Sequence, residues 1–414
     1  MFKDHKILSA SVERLWQTIE RSAEIGPGKA GGLNRPALST ADGEMRDHLS
    51  DWASQAGCTL KVDRVGNMFL CRDGLEPDLP PVMIGSHLDT QVAAGRFDGI
   101  LGVLAGLEVI RSLNDLGIST RRSVVVANWT NEEGVRFQPP MMGSGVFSGA
   151  LDADEVLALT DDKGQSFGDA LDCIGYAGND DMPNGEIDSY FELHIEQGPI
   201  LDTMGLTCGI VTRGSTSFGA NIIFKGENAH SGPTPMHQRQ DALTAAALAI
   251  VEVRRIGWKF APEGRSTSAR IDVLPNKYGI IADHAEISID LRHPEADRAA
   301  EMYQEFKAAL GEIATTENIV ATITKEWKFG GMSFDGQLID LLKNISTRLN
   351  IEPRDMVSLA GHDAYRLASI APTALIFIPC HNGITHNEAE NVAMQDAQDG
   401  LDLLLNAILA RSNR

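Results

Sequence analysis

Two adjacent glutamates, Glu132 and Glu133, follow an apolar segment in the stretch "RSVVVANWTNEEGVRF". Because adjacent side chains cannot both do one job, the pair indicates two roles. One carboxylate could ligate a metal ion, while the other acts as general base towards a metal-bound water. The alternative is a pair of solvated surface carboxylates, which the preceding apolar strand and the nearby Phe137 disfavour.

Four further side chains that can bind metal lie at or just beyond apolar strand patterns. A lone histidine there is usually a core or surface residue, and a lone aspartate before a helix usually caps it. Together with Glu133, however, they form a nitrogen and oxygen ligand set that suits Zn²⁺, Mn²⁺, Co²⁺ or Ni²⁺ and leaves open positions for catalysis. These residues are His87 in "GSHLDT", Asp98 in "GRFDG", His194 in "FELHIEQG" and His386 in "NGITHNEAE". Asp89 is expected to orient the His87 imidazole through its carboxylate.

Short apolar runs that alternate with helical patterns position these residues. The runs are "PVMIGSHLD", "RSVVVANWT", "YFELHIEQGPIL" and "ALIFIPC", and the helical pattern "GILGVLAGLEVIRSLNDLG" follows the first. This order predicts an α/β domain with a mainly parallel, buried sheet. Ligands of such sheets bind at the carboxyl ends of the strands, where the candidate residues fall.

Residues 213–327 show a different pattern: strand, helix, strand, strand, helix, strand. That order is typical of a ferredoxin-like α+β fold. We therefore predict a catalytic domain formed by residues 1–212 and 328–414, with residues 213–327 inserted as a lid and dimerisation domain. The stretches "TRGSTS" and "FGGMS" are the predicted hinges.

The composition limits the possible partners of the chain. The formal net charge of −21 repels nucleic acid and anionic membranes, so neither is expected to bind. No apolar segment is long enough to span a membrane, and the start "MFKDHKILSASVERLW" lacks a signal-peptide region, so a cytoplasmic location is expected. The five cysteines include no C-x-x-C pair and indicate neither a disulfide framework nor a thiolate zinc site.

The motifs, in their order, resemble the hydantoinase/carbamoylase-type amidases of the dimetal aminoacylase/carboxypeptidase superfamily. This branch holds the N-carbamoyl-L-amino acid hydrolases, β-ureidopropionases and allantoate amidohydrolases. The matching stretches lie between about residues 81 and 391, across both predicted domains: "GSHLDT", "GRFDG", "NEEGVRF", "FELHIEQGPILD", "AHSGPTPM", "DLRHP", "AGHDA" and "GITHNEAE".

The resemblance implies two divalent metal ions, with Zn²⁺ as the first candidate and Mn²⁺, Co²⁺ or Ni²⁺ as alternatives. It implies that Asp98 bridges the ions, that Glu132 is the general base and that the peptide bond after Asp98 is cis. It further implies a homodimer formed through the inserted domain. The remaining ligands it assigns are His87 and His194 on one ion and Glu133 and His386 on the other.

The resemblance also implies a small ureido or amide substrate that carries a carboxylate. Arg292 in "DLRHP" would bind this carboxylate, and His230 in "AHSGPTPM" would stabilise the oxyanion. The further substrate-binding candidates are Gln197, Asn276 and His362, and the alternative for Asp363 beside His362 is capping of the following helix.

Three positions depart from the family pattern. Gly279 stands where the family usually has an asparagine, and Asn276 could substitute for it from a shifted loop. The alternative is that Asn276 is an ordinary turn residue after Pro275. Leu359 stands where glycine is common, so the shape of the substrate pocket is expected to differ. Arg213 also stands where the family more often has glycine, and a charge on the surface of the hinge explains it equally well. None of these changes affects a candidate ligand or the candidate base.

These features predict a metal-dependent amidohydrolase that cleaves the C–N bond of N-carbamoyl amino acids, including substrates of the β-ureidopropionate type, and releases ammonia and carbon dioxide. The alternatives with the same dimetal site are an N-acyl amino acid aminoacylase or dipeptidase and an allantoate amidohydrolase. A metal-binding scaffold without turnover is the alternative from another class. The chain has no G-x-S-x-G or H-E-x-x-H motif, so serine-hydrolase and helical zinc-protease chemistry are not expected.

Overall fold

The structure, a computed structural model, describes residues 7–180 and 186–414. Residues 1–6 begin the stretch "MFKDHKILSASVERLW" from which the location of the protein was predicted, and they lie outside the described residues. The chain forms two compact units: the first contains the described parts of Met1–Thr212, Ser333–Met356 and His362–Arg414, and the second contains Arg213–Met332 and Val357–Gly361. The second unit continues past residue 327, because its last strand runs to Gly330.

The described residues form twelve strands and twelve α-helices. The strands are β1 (Thr59–Val62), β2 (Met68–Arg72), β3 (Val82–Ser86), β4 (Val124–Asn128), β5 (Ser189–Ile195), β6 (Cys208–Gly214), β7 (Thr216–Lys225), β8 (Arg265–Leu274), β9 (His284–His293), β10 (Val320–Gly330), β11 (Pro353–Ser358) and β12 (Thr373–Ile378). The helices are α1 (Val12–Ser22), α2 (Thr40–Gln55), α3 (Ile100–Asp115), α4 (Met142–Phe147), α5 (Ala153–Ala158), α6 (Phe167–Cys173), α7 (Ile200–Met204), α8 (Ala242–Lys259), α9 (Ala296–Thr316), α10 (Gly336–Leu349), α11 (Asp363–Leu367) and α12 (Met394–Ser412).

An eight-stranded sheet forms the centre of the first unit, in the order β1-β2-β4-β3-β5-β12-β6-β11. The middle strands β4, β3, β5 and β12 are parallel, while β2 and β6 pair with their outer edges in the antiparallel direction. All residues of β3, β4, β5 and β12 are buried, as expected for strands covered on both faces. The predicted α/β class with a mainly parallel sheet is confirmed.

The register of the parallel strands brings their carboxyl ends to one edge of the sheet. Ser86 of β3 pairs with Asn128 of β4, and His194 of β5 pairs with Phe377 of β12. Helix α3 begins directly beyond this edge and contacts β3 and β5. A Cβ atom on Gly102 of α3 would lie 2.6 Å from the carbonyl oxygen of Leu193, so the helix approaches β5 very closely. This packing fixes where the loop before α3 lies.

The second unit contains an antiparallel four-stranded sheet, in the order β10-β7-β9-β8. Helices α8 and α9 pack on the sheet, and an apolar cluster that includes Ile222, Phe224, Ile287 and Phe306 fills the interior. Strand order and connectivity are those of the predicted ferredoxin-like fold. Asp241 caps α8 by accepting the Thr244 N–H. Every described helix of the protein is too short or too polar to traverse a lipid bilayer.

Candidate metal centre and active site

His87 and His194 present the same ring nitrogen towards Asp98. The Nδ1 atom of His87 lies 2.8 Å from the Asp89 carbonyl oxygen, and Nδ1 of His194 lies 2.9 Å from the Ile195 carbonyl oxygen. These carbonyls favour the tautomer protonated at Nδ1, which leaves an Nε2 lone pair on each ring. The two Nε2 atoms lie 4.0 and 3.2 Å from Asp98 Oδ1. Both Nε2 atoms therefore lie beside one carboxylate oxygen, an arrangement that a cation between them would stabilise. Nε2 of His194 also accepts the backbone N–H of Gly99 at 3.2 Å.

Gly99 allows Asp98 to lie beside the His87 ring. Its φ is 70°, and a Cβ atom at this position would come within 2.3 Å of the imidazole. Gly99 is also the residue before α3, so the Asp98 carboxylate does not cap that helix. The expected cis peptide after Asp98 is wrong: the cis bonds of the described residues precede Pro139, Pro262 and Pro275. The left-handed backbone of Gly99 makes the turn instead.

The adjacent glutamates are held by Asp89, in a role that differs from the predicted one. Asp89 Oδ1 and Oδ2 accept the backbone N–H groups of Glu132 and Glu133, each at 3.2 Å. Thus the carbonyl of Asp89, and not its carboxylate, contacts His87. The Oε2 atom of Glu132 lies 3.5 Å from His87 Nε2. Glu133 Oε2 accepts a hydrogen bond from Gln91 at 2.8 Å.

His386 completes a second group around Asp98. Its Nε2 atom lies 3.4 Å from both Asp98 Oδ2 and Glu133 Oε2. The ligand atoms of His87, Asp98 and His194 all lie within 4.8 Å of one another, as do those of Asp98, Glu133 and His386. The five residues proposed from distant parts of the chain therefore come together as two groups that share Asp98.

Burial sets the electrostatics of this cluster. Burial lowers the pKa of His87 to about 4, so this ring is neutral near pH 7. Burial and then the Asp98 charge raise the pKa of Glu133 to about 8, and burial with the carboxylates of Asp363 and Glu133 raises the pKa of Glu132 well above its usual range. Clustered buried carboxylates favour bound cations.

An unpaired carboxylate oxygen among the candidate ligands also fits a bound metal ion. Glu133 Oε1 is buried and has no hydrogen-bond partner among the described residues, although Oε2 of the same carboxylate has one. A buried carboxylate oxygen of this kind is costly unless something binds it. Imidazole nitrogens and carboxylate oxygens without thiolate suit a borderline divalent ion.

Comparison with known proteins assigns the chain to a family. Residues 83–410 match the family described as Peptidase family M20/M25/M40. The chain belongs to this family. It is 39% identical over 399 residues to the N-carbamoyl-L-amino-acid amidohydrolase of Rhizobium meliloti, with 96% of each chain covered. It is 30% identical over 411 residues to the ureidoglycolate hydrolase of Arabidopsis thaliana, with 96% of this chain and 86% of that chain covered.

A solved structure shows the same relationship. The crystal structure of a hydantoinase/carbamoylase family amidase from Burkholderia vietnamiensis matches with a TM-score of 0.93 and 40% identity, and 99% of each chain is covered. The predicted resemblance to hydantoinase/carbamoylase amidases is confirmed. The M20/M25/M40 family consists of metal-dependent hydrolases, and the two groups around Asp98 in this member could bind metal.

A network behind the metal groups of this M20/M25/M40 member was not predicted. Glu192 accepts hydrogen bonds from Ser86 Oγ, Tyr190 Oη and the Ala364 N–H. It thereby joins β3, β5 and α11 directly behind His194. Since alternate residues of a strand share a face, its position two residues before His194 is the signal that could have indicated it.

His362 and Asp363 lie in the same buried region. The His362 ring packs edge-on against His194 with centroids 4.4 Å apart, and it is only 2% exposed. Asp363 accepts a hydrogen bond from Ser144 and is the first residue of α11, which has no side-chain cap bond. Helix capping therefore does not explain Asp363, and the substrate-binding role of His362 stays a prediction.

Gln197, predicted as a substrate-binding residue, contacts the candidate ligand Asp98 directly. Its Nε2 atom donates to Asp98 Oδ2 at 2.8 Å, from a backbone with φ of 58°. The amide thus contacts the shared carboxylate itself. Its role in substrate binding stays a prediction, with orientation of Asp98 as the contact that is observed.

The other candidate substrate residues lie on the second unit. His230 is exposed, and its Nδ1 atom accepts the Gly232 N–H at 3.1 Å, which leaves Nε2 as the ring nitrogen that can donate. The guanidinium of Arg292 on β9 donates to both Asp290 oxygens and to the Leu359 carbonyl, the last at 2.9 Å. Asn276 is exposed in the loop after β8.

The departures from the family pattern have local structural effects. Gly279 adopts a φ of 84° with open space around it, so this turn favours glycine. Leu359 contributes its carbonyl to Arg292, while Arg213 pairs with Glu295 at 2.5 Å. The Arg213 pair lies on the surface of the second unit, where such pairs stabilise little.

Proposed function

We propose that this M20/M25/M40 family member hydrolyses the C–N bond of N-carbamoyl amino acids and releases ammonia, carbon dioxide and the free amine. The observation that supports this most directly is the pair of ligand groups sharing Asp98, with Glu132 beside them as an additional carboxylate. The name of the Rhizobium relative supports the substrate class.

His87, Asp98 and His194 would hold one ion, and Asp98, Glu133 and His386 the other. Bound ions of this kind lower the pKa of a water molecule and polarise the ureido carbonyl. Zn²⁺ is our first candidate for the ions.

Glu132 is the proposed general base. It accepts a proton from the water as the water oxygen bonds to the ureido carbon, and it returns this proton to the nitrogen of the C–N bond that breaks. Burial, and then the neighbouring carboxylates, raise the pKa of Glu132, so this side chain binds a proton readily. His230 would donate its Nε2–H to the oxyanion, and Arg292 would bind the substrate carboxylate.

The test is a comparison of two substrate classes with the metal-loaded enzyme. We expect ammonia release from N-carbamoyl amino acids, at rates well above those of amine release from the matching N-acetyl amino acids. Amine release from the N-acetyl series alone would instead identify an aminoacylase. No turnover across a broad ureido and amide panel would identify a metal-binding scaffold.

Ureidoglycolate hydrolysis is a second candidate function. A relative at 30% identity carries the name ureidoglycolate hydrolase, and the predicted substrate, like ureidoglycolate, is a ureido compound with a carboxylate. Values of kcat/KM for ureidoglycolate, allantoate and N-carbamoyl amino acids would rank the three, and the highest value identifies the substrate class.

We also propose a homodimer formed through the second unit, in a cytoplasmic protein. Strand β8 is an edge strand with largely exposed residues, and apolar side chains are exposed on it and on the adjacent α8. Exposed apolar surface beside an open strand edge is typical of an interface. These side chains are Val251, Trp258, Ile271 and Leu274.

A further inference from the structure

Glu390 is a buried carboxylate that joins two ligand-bearing loops. It is 3% exposed, and its Oε1 atom accepts the backbone N–H groups of Phe97 and Asp98 at 3.0 and 3.1 Å. Almost 300 residues separate these partners in the chain, and within the described residues no strand pairing connects them. The loop that carries His386 is therefore tied to the backbone of Asp98.

Thr385 extends this connection to the Asp98 side chain. Its Oγ1 atom lies 3.0 Å from Asp98 Oδ2 and 3.1 Å from Glu390 Oε2. Thus Glu390 contacts the backbone of Asp98 directly, and the Thr385 hydroxyl lies between the Glu390 carboxylate and the Asp98 carboxylate. The shared ligand is oriented from both ends.

Gly95 makes room for this contact. A Cβ atom at Gly95 would lie 2.1 Å from Glu390 Oε1, closer than any real side chain could come. The loop that ends in Asp98 therefore approaches the Glu390 carboxylate through a position that only glycine allows.

His386 needs such an anchor more than the other two histidines do. Its side chain is 46% exposed, against 2% for His87 and 1% for His194. Packing therefore holds His386 weakly, and its φ of 49° is unusual for a residue with a side chain. Thr385 and Glu390 flank it and fix the loop on both sides.

We propose that Glu390 is a positioning residue that aligns His386 with Asp98 and thereby sets the affinity of the second ion, held by Asp98, Glu133 and His386. This inference rests on the proposed metal centre. Residues that orient metal ligands typically change metal affinity about 10- to 100-fold when they are replaced.

The experiment titrates Zn²⁺ into metal-free protein by calorimetry and counts bound ions by elemental analysis. We expect Glu390→Ala to weaken the ion held by Asp98, Glu133 and His386 by about tenfold or more. The ion held by Asp98, His87 and His194 should change much less, because packing already holds these two histidines, which are 2% and 1% exposed. Glu390→Gln should keep both ions, because its amide oxygen can still accept the two N–H groups and its nitrogen can donate to Thr385.

Thr385 provides a second, milder variant in case Glu390→Ala does not fold. Thr385→Val removes the hydroxyl but leaves the carboxylate in place, and it should weaken the same ion, whereas Thr385→Ser should not. The matched control is Asp402→Ala. Asp402 is also buried and accepts a backbone N–H and a hydroxyl from distant residues, Ala10 and Ser9, outside the metal groups.

The outcomes separate the two proposals. A wild-type protein that binds no pair of ions contradicts the proposed function and this inference together. A second outcome is that the wild type binds two ions and that Glu390→Ala and Thr385→Val fold. If the affinities of both ions are then unchanged, or fall equally, the result contradicts this inference alone. The same loss in Asp402→Ala would show a general effect of stability and would also contradict it.

Discussion

At the scale of single residues, the two glutamates differ in their surroundings. Glu133 contacts Gln91 and lies 3.4 Å from His386, whereas Glu132 lies 3.5 Å from His87 among carboxylates. One can therefore be a ligand while the other moves protons.

Glu132→Gln should abolish proton transfer and leave the metal ions in place. We expect kcat to fall by about 10²- to 10⁴-fold, the usual contribution of a general base, with metal content unchanged. Glu133→Gln is the matched neighbour and should lose metal. Equal activity in wild type and Glu132→Gln would remove Glu132 from the mechanism.

Gly99→Ala should disrupt the His87 position. A Cβ at Gly99 meets the imidazole at 2.3 Å, while Gly57 has a similar φ of 74° with open space around it. Gly57→Ala therefore measures the cost of a positive φ without a steric contact, about 1–2 kcal/mol. We expect Gly99→Ala to lose clearly more unfolding free energy in urea denaturation and to bind metal more weakly. Equal losses in both variants would show that contact with His87 is unimportant.

At the scale of elements, the sequence predicts those features of the fold that depend on the local pattern of residues. The buried strands, the ferredoxin-like order and the candidate ligands at strand ends all follow from periodicity and turn residues. The roles of Glu390, Glu192 and the Asp89 carboxylate do not, because their partners are mainly backbone groups far away in the chain. Likewise, the turn after Asp98 depends on Gly99 packing against a ring that only the folded sheet brings there.

The open edge of the second sheet leads to a prediction about assembly. Ile271→Asp on the edge strand β8 should shift the proposed dimer to monomer, because a charge would lie in an apolar interface. Val320→Asp, on the opposite edge strand β10, is the matched control, since Val320 is also well exposed. Light scattering after size exclusion gives the mass of each variant. If Val320→Asp dissociates the dimer and Ile271→Asp does not, the interface lies at the other edge.

At the scale of the whole molecule, the buried charges link stability to pH. The pKa of Glu133 is raised to about 8 by burial and the Asp98 charge, and Asp98 overcomes burial to raise the pKa of His194 and His386 to about 9. Each group binds its proton more tightly in the folded chain, so its stabilising effect is lost as pH rises through the folded pKa. His87, with a pKa lowered to about 4, acts in the opposite direction only below about pH 6.5.

The metal-free protein should therefore lose stability between about pH 6.5 and 9. Calorimetric Tm values across this window would show a steeper decline for metal-free than for zinc-loaded protein, because bound ions replace the protons. A metal-free Tm that rises with pH across this window would contradict the raised pKa values of Glu133, His194 and His386.

Strands β5 and β12 are parallel neighbours in the sheet of the first unit, although the second unit separates them in the amino-acid sequence. During synthesis on the ribosome, β5 emerges long before its neighbour, and His386 follows only after β12. We therefore expect nascent chains arrested before Thr373 to retain no zinc pair after gel filtration, even when the inserted unit is already folded. Binding of the zinc pair would then distinguish chains that contain β12 and His386 from chains that terminated before them.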